Sequence, residues 1–104
     1  MKFNKSGTKS RWVDYKDMKF LIRPYANSAG ALISLNPIKV AEYGWLRFNH
    51  CVENWKGLVD ENDKPLKCNE ENKKCVYDNS EEIIIFIGQE VEKLNEGIVT
   101  ESKN

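Results

Sequence analysis

The chain predicts an α+β fold: one mostly helical domain in which an N-terminal β-hairpin is followed by three helices. Three observations predict it. Ile38, Ala41, Trp45, Phe48, Val52 and Trp55 recur at spacings of 3, 4, 3, 4 and 3, which sets them on one face of a helix over about 37–55. Met18, Phe20 and Ile22 alternate with Lys19 and Arg23, the period of a half-buried strand. Ile84, Ile87, Val91 and Leu94 repeat at 3, 4 and 3 behind two acids and ahead of Gly97, the signature of a second amphipathic helix.

The 104 residues suffice for one domain with one modest core, expected over 11–97. Residues 1–10 are polar and read as a flexible N-terminus, and 98–104 as a flexible C-terminal tail. The hairpin comes first. Trp12-Val13-Asp14-Tyr15 and Met18 to Ile22 flank the turn pair Lys16-Asp17, and Pro24 ends the second strand. A lone hairpin is marginal in water, so it must pack on the central helix or on a neighbour. Residues 25–35, with Ala-Gly-Ala inside them, read as irregular.

The central helix has its own punctuation. Asn36 suits the N-cap, Pro37 the first helical position, and Gly57 a left-handed stop just past the end. At ~1.5 Å per residue the helix would be roughly 28 Å long. Gly44 sits inside it at a cost of about 1 kcal/mol relative to Ala. Either another element packs against its bare backbone, or the site is a flex point or partner contact. Beyond Trp55, the run Asp60-Glu61-Asn62-Asp63-Lys64 between Leu58-Val59 and Pro65-Leu66 reads as a short hairpin or Ω-like excursion, tied down by Trp55 and Leu66.

Asn69 caps a short helix over about 70–77, and Asp78-Asn79-Ser80 breaks it. Asn79 and Glu82 stand at N-cap and N3 spacing, a variant capping box for a last helix over about 81–95. Ile83 to Ile87 taken alone favour a strand, but the wider window is helical. Neighbouring Ile83, Ile85 and Phe86 cannot all face one core. Some of them must meet a second surface, either the hairpin or a partner.

Composition and charge narrow the function classes. The formal net charge is zero, so nothing favours broad nucleic-acid or anionic-membrane binding. The zero hides an asymmetry: residues 1–23 carry +5 and residues 78–104 carry −5. Screening over roughly 8–10 Å keeps any attraction between the ends, or between neighbouring copies head to tail, weak, so both ends read as solvated. No apolar run reaches the ~18 residues of a membrane span. The basic start MKFNKSGTKS lacks the apolar stretch of a secretory signal, so a cytoplasmic protein is expected.

His50, Cys51, Cys68 and Cys75 are the only candidates for a metal or thiol centre. Their spacing lacks the usual C-x₂₋₄-C pair, and adjacent His and Cys on a helix diverge by about 100°. They read as free thiols in a reducing compartment and a polar-side histidine. Phosphate-loop, dinucleotide, zincin and nucleophile-elbow motifs are all missing. The reading is therefore not an enzyme, with no catalytic, cofactor or metal residues.

One resemblance gives a positive reading. The run from Trp55 through Gly57, Asp60, Glu61, Pro65 and Leu66 resembles the W-x-G-[hydrophobic]-x-D-E-x-G-x-P-L pattern of the small tail assembly chaperones of tailed bacteriophages and prophages. Asp63 stands where that family usually has Gly. Asn69-Glu70-Glu71-Asn72 is similar to the family's T-x-E-N helix start, with Asn for Thr, and Trp12 to Pro24 is similar to its W-x-x-Y-x-x-[apolar]-K-F-x-I-R-P run. The matches cover about 70 of the 104 residues.

The resemblance implies a protein that coats the tape measure protein until tail-tube subunits polymerise around it. The tape measure protein, and the tube protein with it, would then be partners, alongside weak homo-oligomers and without nucleic acid or membrane. The family brings no catalytic residues. The expected client face is Tyr43, Ile83, Phe86 and Ile87, with Trp45, Trp55, Gly57, Asp60, Pro65 and Leu66 as motif and structural positions. A small structural tail or connector protein is the alternative, and a small metal-binding or enzymatic domain built around His50 and the cysteines is a third, lesser reading.

Overall fold

A computed structural model describes residues 9–24 and 40–98. Within them the order is β1 (Arg11–Tyr15), β2 (Met18–Ile22), α1 (Val40–Cys51), β3 (Val52–Lys56), α2 (Glu70–Asn79) and α3 (Glu81–Ile98). The strands form one antiparallel sheet in the order β1-β2-β3. The expectations for 1–8, for the irregular 25–35, for the Asn36-Pro37 cap, for Ile38 and for the tail beyond Ile98 lie outside the described residues.

The predicted hairpin forms over the predicted residues. Arg11 pairs with Ile22, Val13 with Phe20 and Tyr15 with Met18. Lys16 takes a left-handed φ of 56° to make the two-residue turn. Phe20 and Ile22 are fully buried, so the alternation faces the core as expected.

The central helix is shorter than its apolar spacing suggests. It ends at Cys51, and Val52 to Lys56 run back along β2 as a third strand. Trp55 faces Phe20, Asn54 faces Leu21 and Val52 faces Ile22, so Glu53 is an extra residue. That bulge sets Val52 and Trp55, three residues apart, on the same buried face. A strand with a bulge thus reproduces the spacing of a helix.

Tertiary partners end α1. Its last carbonyls accept from outside the helix: Asn49 O from Lys73 Nζ at 2.9 Å, His50 O from Arg23 Nε at 2.8 Å, and Cys51 O from the Arg23 N–H at 2.9 Å. Gly57 does have the left-handed φ expected of it, 89°, but it closes a strand. It lies so close to the hairpin turn that a Cβ there would sit 2.6 Å from Asp17 O.

Ser80 joins the last two helices and serves both. Its N–H donates to Val76 O at 2.9 Å and closes α2, while its hydroxyl oxygen faces the Ile83 N–H at 3.4 Å and opens α3. Asn79, expected as the cap, is instead the last residue of α2 and donates to Cys75 O. Glu82, expected to complete a box with Asn79, instead pairs with Lys16 at 2.9 Å. Asn69 is the predicted cap of α2, accepting from the Asn72 N–H at 2.8 Å. Gly97 does not stop α3, which continues to Ile98. One glycine costs a helix only about 1 kcal/mol.

The core lies between the sheet and the helices. Phe20, Ile22, Val52 and Trp55 from the strands meet Phe48, Cys51, Ile83, Ile87, Val91 and Leu94. Of the predicted α3 stripe, Ile84 alone is only half buried. No described helix is long and apolar enough to cross a membrane.

Candidate functional site

The motif segment 55–66 folds as a small closed loop. Val59 bridges Pro65, the Leu66 N–H donates to Leu58 O at 2.8 Å, and the Asp60 N–H donates to Lys64 O at 2.9 Å. Asp60 Oδ1 holds the turn from inside, accepting from the Asn62 and Lys64 N–H groups at 2.8 and 3.1 Å. Asp63 adopts φ 60°, a conformation usual for Gly or Asn and tolerated by Asp. Trp55, 5% exposed, ties the loop to the core by donating from Nε1 to Leu66 O at 2.7 Å. The excursion pinned by Trp55 and Leu66 is the one expected.

An open groove of about 410 Å³ lies between α1 and α2, lined by Glu42, Trp45, Leu46, Lys74 and Tyr77. Its floor is aromatic. Tyr77 lies 5.6 Å from Trp45 and 5.5 Å from Phe48, and Trp45 stacks on Phe48 at 6.4 Å. Lys74 Nζ lies over both rims, 5.0 Å from the Trp45 ring and 5.3 Å from Tyr77, and is held there by Asp78 at 3.2 Å. Leu46 stands 53% exposed at the edge. The helices approach closely because Gly44 lies under Tyr77: a Cβ there would come within 2.5 Å of the tyrosine oxygen. Close packing on bare backbone therefore accounts for Gly44.

The expected client residues are not presented together. Ile83 and Ile87 are core residues, 8% and 2% exposed. Phe86 is half buried, its ring 4.6 Å from Tyr15 and 6.4 Å from Phe20, so the second surface it meets is the hairpin. Tyr43 is half buried on α1 with Arg47 over its ring at 5.8 Å. The exposed apolar residue of the isoleucine run is Ile85. Sequence reasoning missed Leu46, Lys74 and Tyr77 as a set. Leu46 lies one residue off the apolar stripe of α1, and that offset was the available signal.

The three thiols differ in depth: Cys51 is buried, Cys68 half buried and Cys75 exposed. Burial pushes the Cys51 thiol up to about 11 and raises that of Cys68, so both stay protonated at neutral pH. His50 is exposed on α1, with Arg23 Nη2 3.4 Å from Nδ1. Its pKa is lowered, by desolvation first and then by the Arg23 charge. Among the described residues no three His, Cys, Asp or Glu side chains gather as metal ligands. The groove offers a surface for an apolar side chain or helix face, with a cation at its rim. No family model, curated protein or solved structure matches the chain.

Proposed function

We propose that the protein is a tail assembly chaperone of a tailed phage or prophage, working in the host cytoplasm and binding the tape measure protein during tail assembly. The observation that carries this reading is the 55–66 loop. Residues that match the family pattern hold the loop: Trp55 by its indole N–H, Gly57 by its left-handed backbone, Asp60 by its side chain, Pro65 and Leu66 by closing it. Asp63 occupies the pattern's glycine position in the conformation a glycine would favour.

The groove between α1 and α2 is the client site in this reading. Its apolar floor takes one face of an amphipathic client helix, and Lys74 takes an acidic side chain beside that face. Ile83 and Ile87 serve by positioning α3 and make no client contact.

Co-expression with helical segments of the tape measure protein encoded by the same phage tests the proposal. The wild-type chain should keep such segments in the soluble fraction. Leu46→Asp should fold normally and lose that effect, because Leu46 is exposed. Mass spectrometry of purified virions separates the alternative. A chaperone is missing from the particle, whereas a structural tail or connector protein is present in it. Client solubility unchanged by the chain would overturn the proposal.

A further inference from the structure

Two opposite faces of the domain complement each other. On the sheet, Phe20 and Ile22 point into the core, so Leu21 and its cross-strand neighbours Trp12 and Asn54 point outward. Trp12 is 42% exposed. The next outward row is Asp14, Lys19 and Lys56, with Lys19 directly opposite Lys56. Like charges in that position repel. Asp14 lies 3.7 Å from Lys19, and Lys56 Nζ lies 4.7 Å from the Trp12 ring centroid. The outer sheet face is thus an apolar centre bordered by two lysines and one aspartate, a rim of net positive charge.

The far side of the molecule is the reverse. Along α3, Glu81, Ile85, Gln89 and Glu92 are exposed and share one helix face, while Ile83, Ile87, Val91 and Leu94 are buried on the other. Ile85 is 52% exposed. Glu81 and Glu92 have no ion-pair partner among the described residues. This face too has an apolar centre, bordered by carboxylates.

Because α3 packs on the inner face of the sheet through Phe86, Tyr15 and Phe20, the two surfaces point away from each other. They cannot meet within one chain. We infer that they meet between chains: the α3 face of one copy docks on the outer sheet face of the next. The contact is heterologous, so it repeats head to tail and does not close as a dimer. Three strands about 4.8 Å apart make a small platform, so each contact is weak and salt-sensitive.

Sedimentation velocity of the whole chain over a concentration series reads this directly. At low salt the mean mass should rise steadily with concentration, with no plateau at a dimer. Raising the salt to about 0.5 M should return it to the monomer. Lys19→Glu with Lys56→Glu should abolish association, as should Glu81→Lys with Glu92→Lys, both with unchanged near-ultraviolet circular dichroism. An equimolar mixture of the two variants should associate again, because each new sheet charge then meets its opposite. A wild type that stays monomeric throughout overturns the inference. So does association that survives in either variant, or a mixture that stays monomeric.

Discussion

β3 and the first turns of α3 are five-residue stretches pressed against the same core, and they take opposite backbones. In β3, Val52 and Trp55 reach the core from a bulged strand. In α3, Ile83 and Ile87 reach it one helical turn apart. Local preference points the other way in each: the first has helical spacing, and the second is rich in β-branched residues. The neighbours decide. Residues 52–56 lie along the open edge of β2 and can pair with it, while Arg23 and Lys73 take the carbonyls that a longer α1 would have used internally. Residues 83–87 lie across the face of the sheet, where no edge is offered, so their backbone must bond to itself. Ser80 and the acids Glu81 and Glu82 start that helix.

The largest test of this contrast is the loss of an anchor on each side. Trp55→Ala should cost about 3–5 kcal/mol in urea unfolding, because it leaves a cavity and strands Leu66 O. Ile87→Ala should cost about 2–5 kcal/mol. Hydrogen exchange should separate them: Trp55→Ala opens β3 and the 58–66 loop first, whereas Ile87→Ala lowers protection in every element together.

A middle-sized test addresses the end of β3. Gly57→Ala should cost about 1–3 kcal/mol, since φ is 89° and the added methyl meets Asp17 O at 2.6 Å. Gly88→Ala should cost less. At that position the methyl meets the flexible end of Arg47, which can move aside, and the helix gains a better former.

The smallest effect concerns the ion pair that joins the hairpin turn to the start of α3. Hydrogen bonds from Tyr15 and then Lys16, with the Lys16 charge, hold the Glu82 carboxyl below its usual 4.5. Its depressed folded pKa makes this stabilisation present above 4.5 and lost as pH falls through the folded value. Lys16 is raised, first by its hydrogen bond to Glu82, so its share persists below 10.5 and is lost at higher pH. Both groups are exposed, so screening keeps the effect small. Melting temperatures of wild type and Glu82→Gln should differ slightly at neutral pH and converge in acid.

These contrasts also show what the amino acids disclose alone. The hairpin, the Asn69 cap and the loop pinned by Trp55 and Leu66 were legible because each depends on neighbours within about a dozen residues. The end of α1 was not, because Arg23 and Lys73 supply it from 24 to 28 positions away. The third strand hid behind its own bulge. The groove was half legible: Gly44 and Trp45 marked its wall, but Tyr77 and Lys74 joined it only once α2 had folded back.

The cysteines form a depth gauge. Cys75 is exposed, Cys68 is half covered, and Cys51 is sealed at the junction where helix becomes strand. A thiol-reactive dye will therefore mark Cys75 at once, Cys68 more slowly, and Cys51 only when that junction comes apart. The labelling rate at Cys51 is a clock for the one event that releases β3 from the sheet, readable in an unaltered molecule.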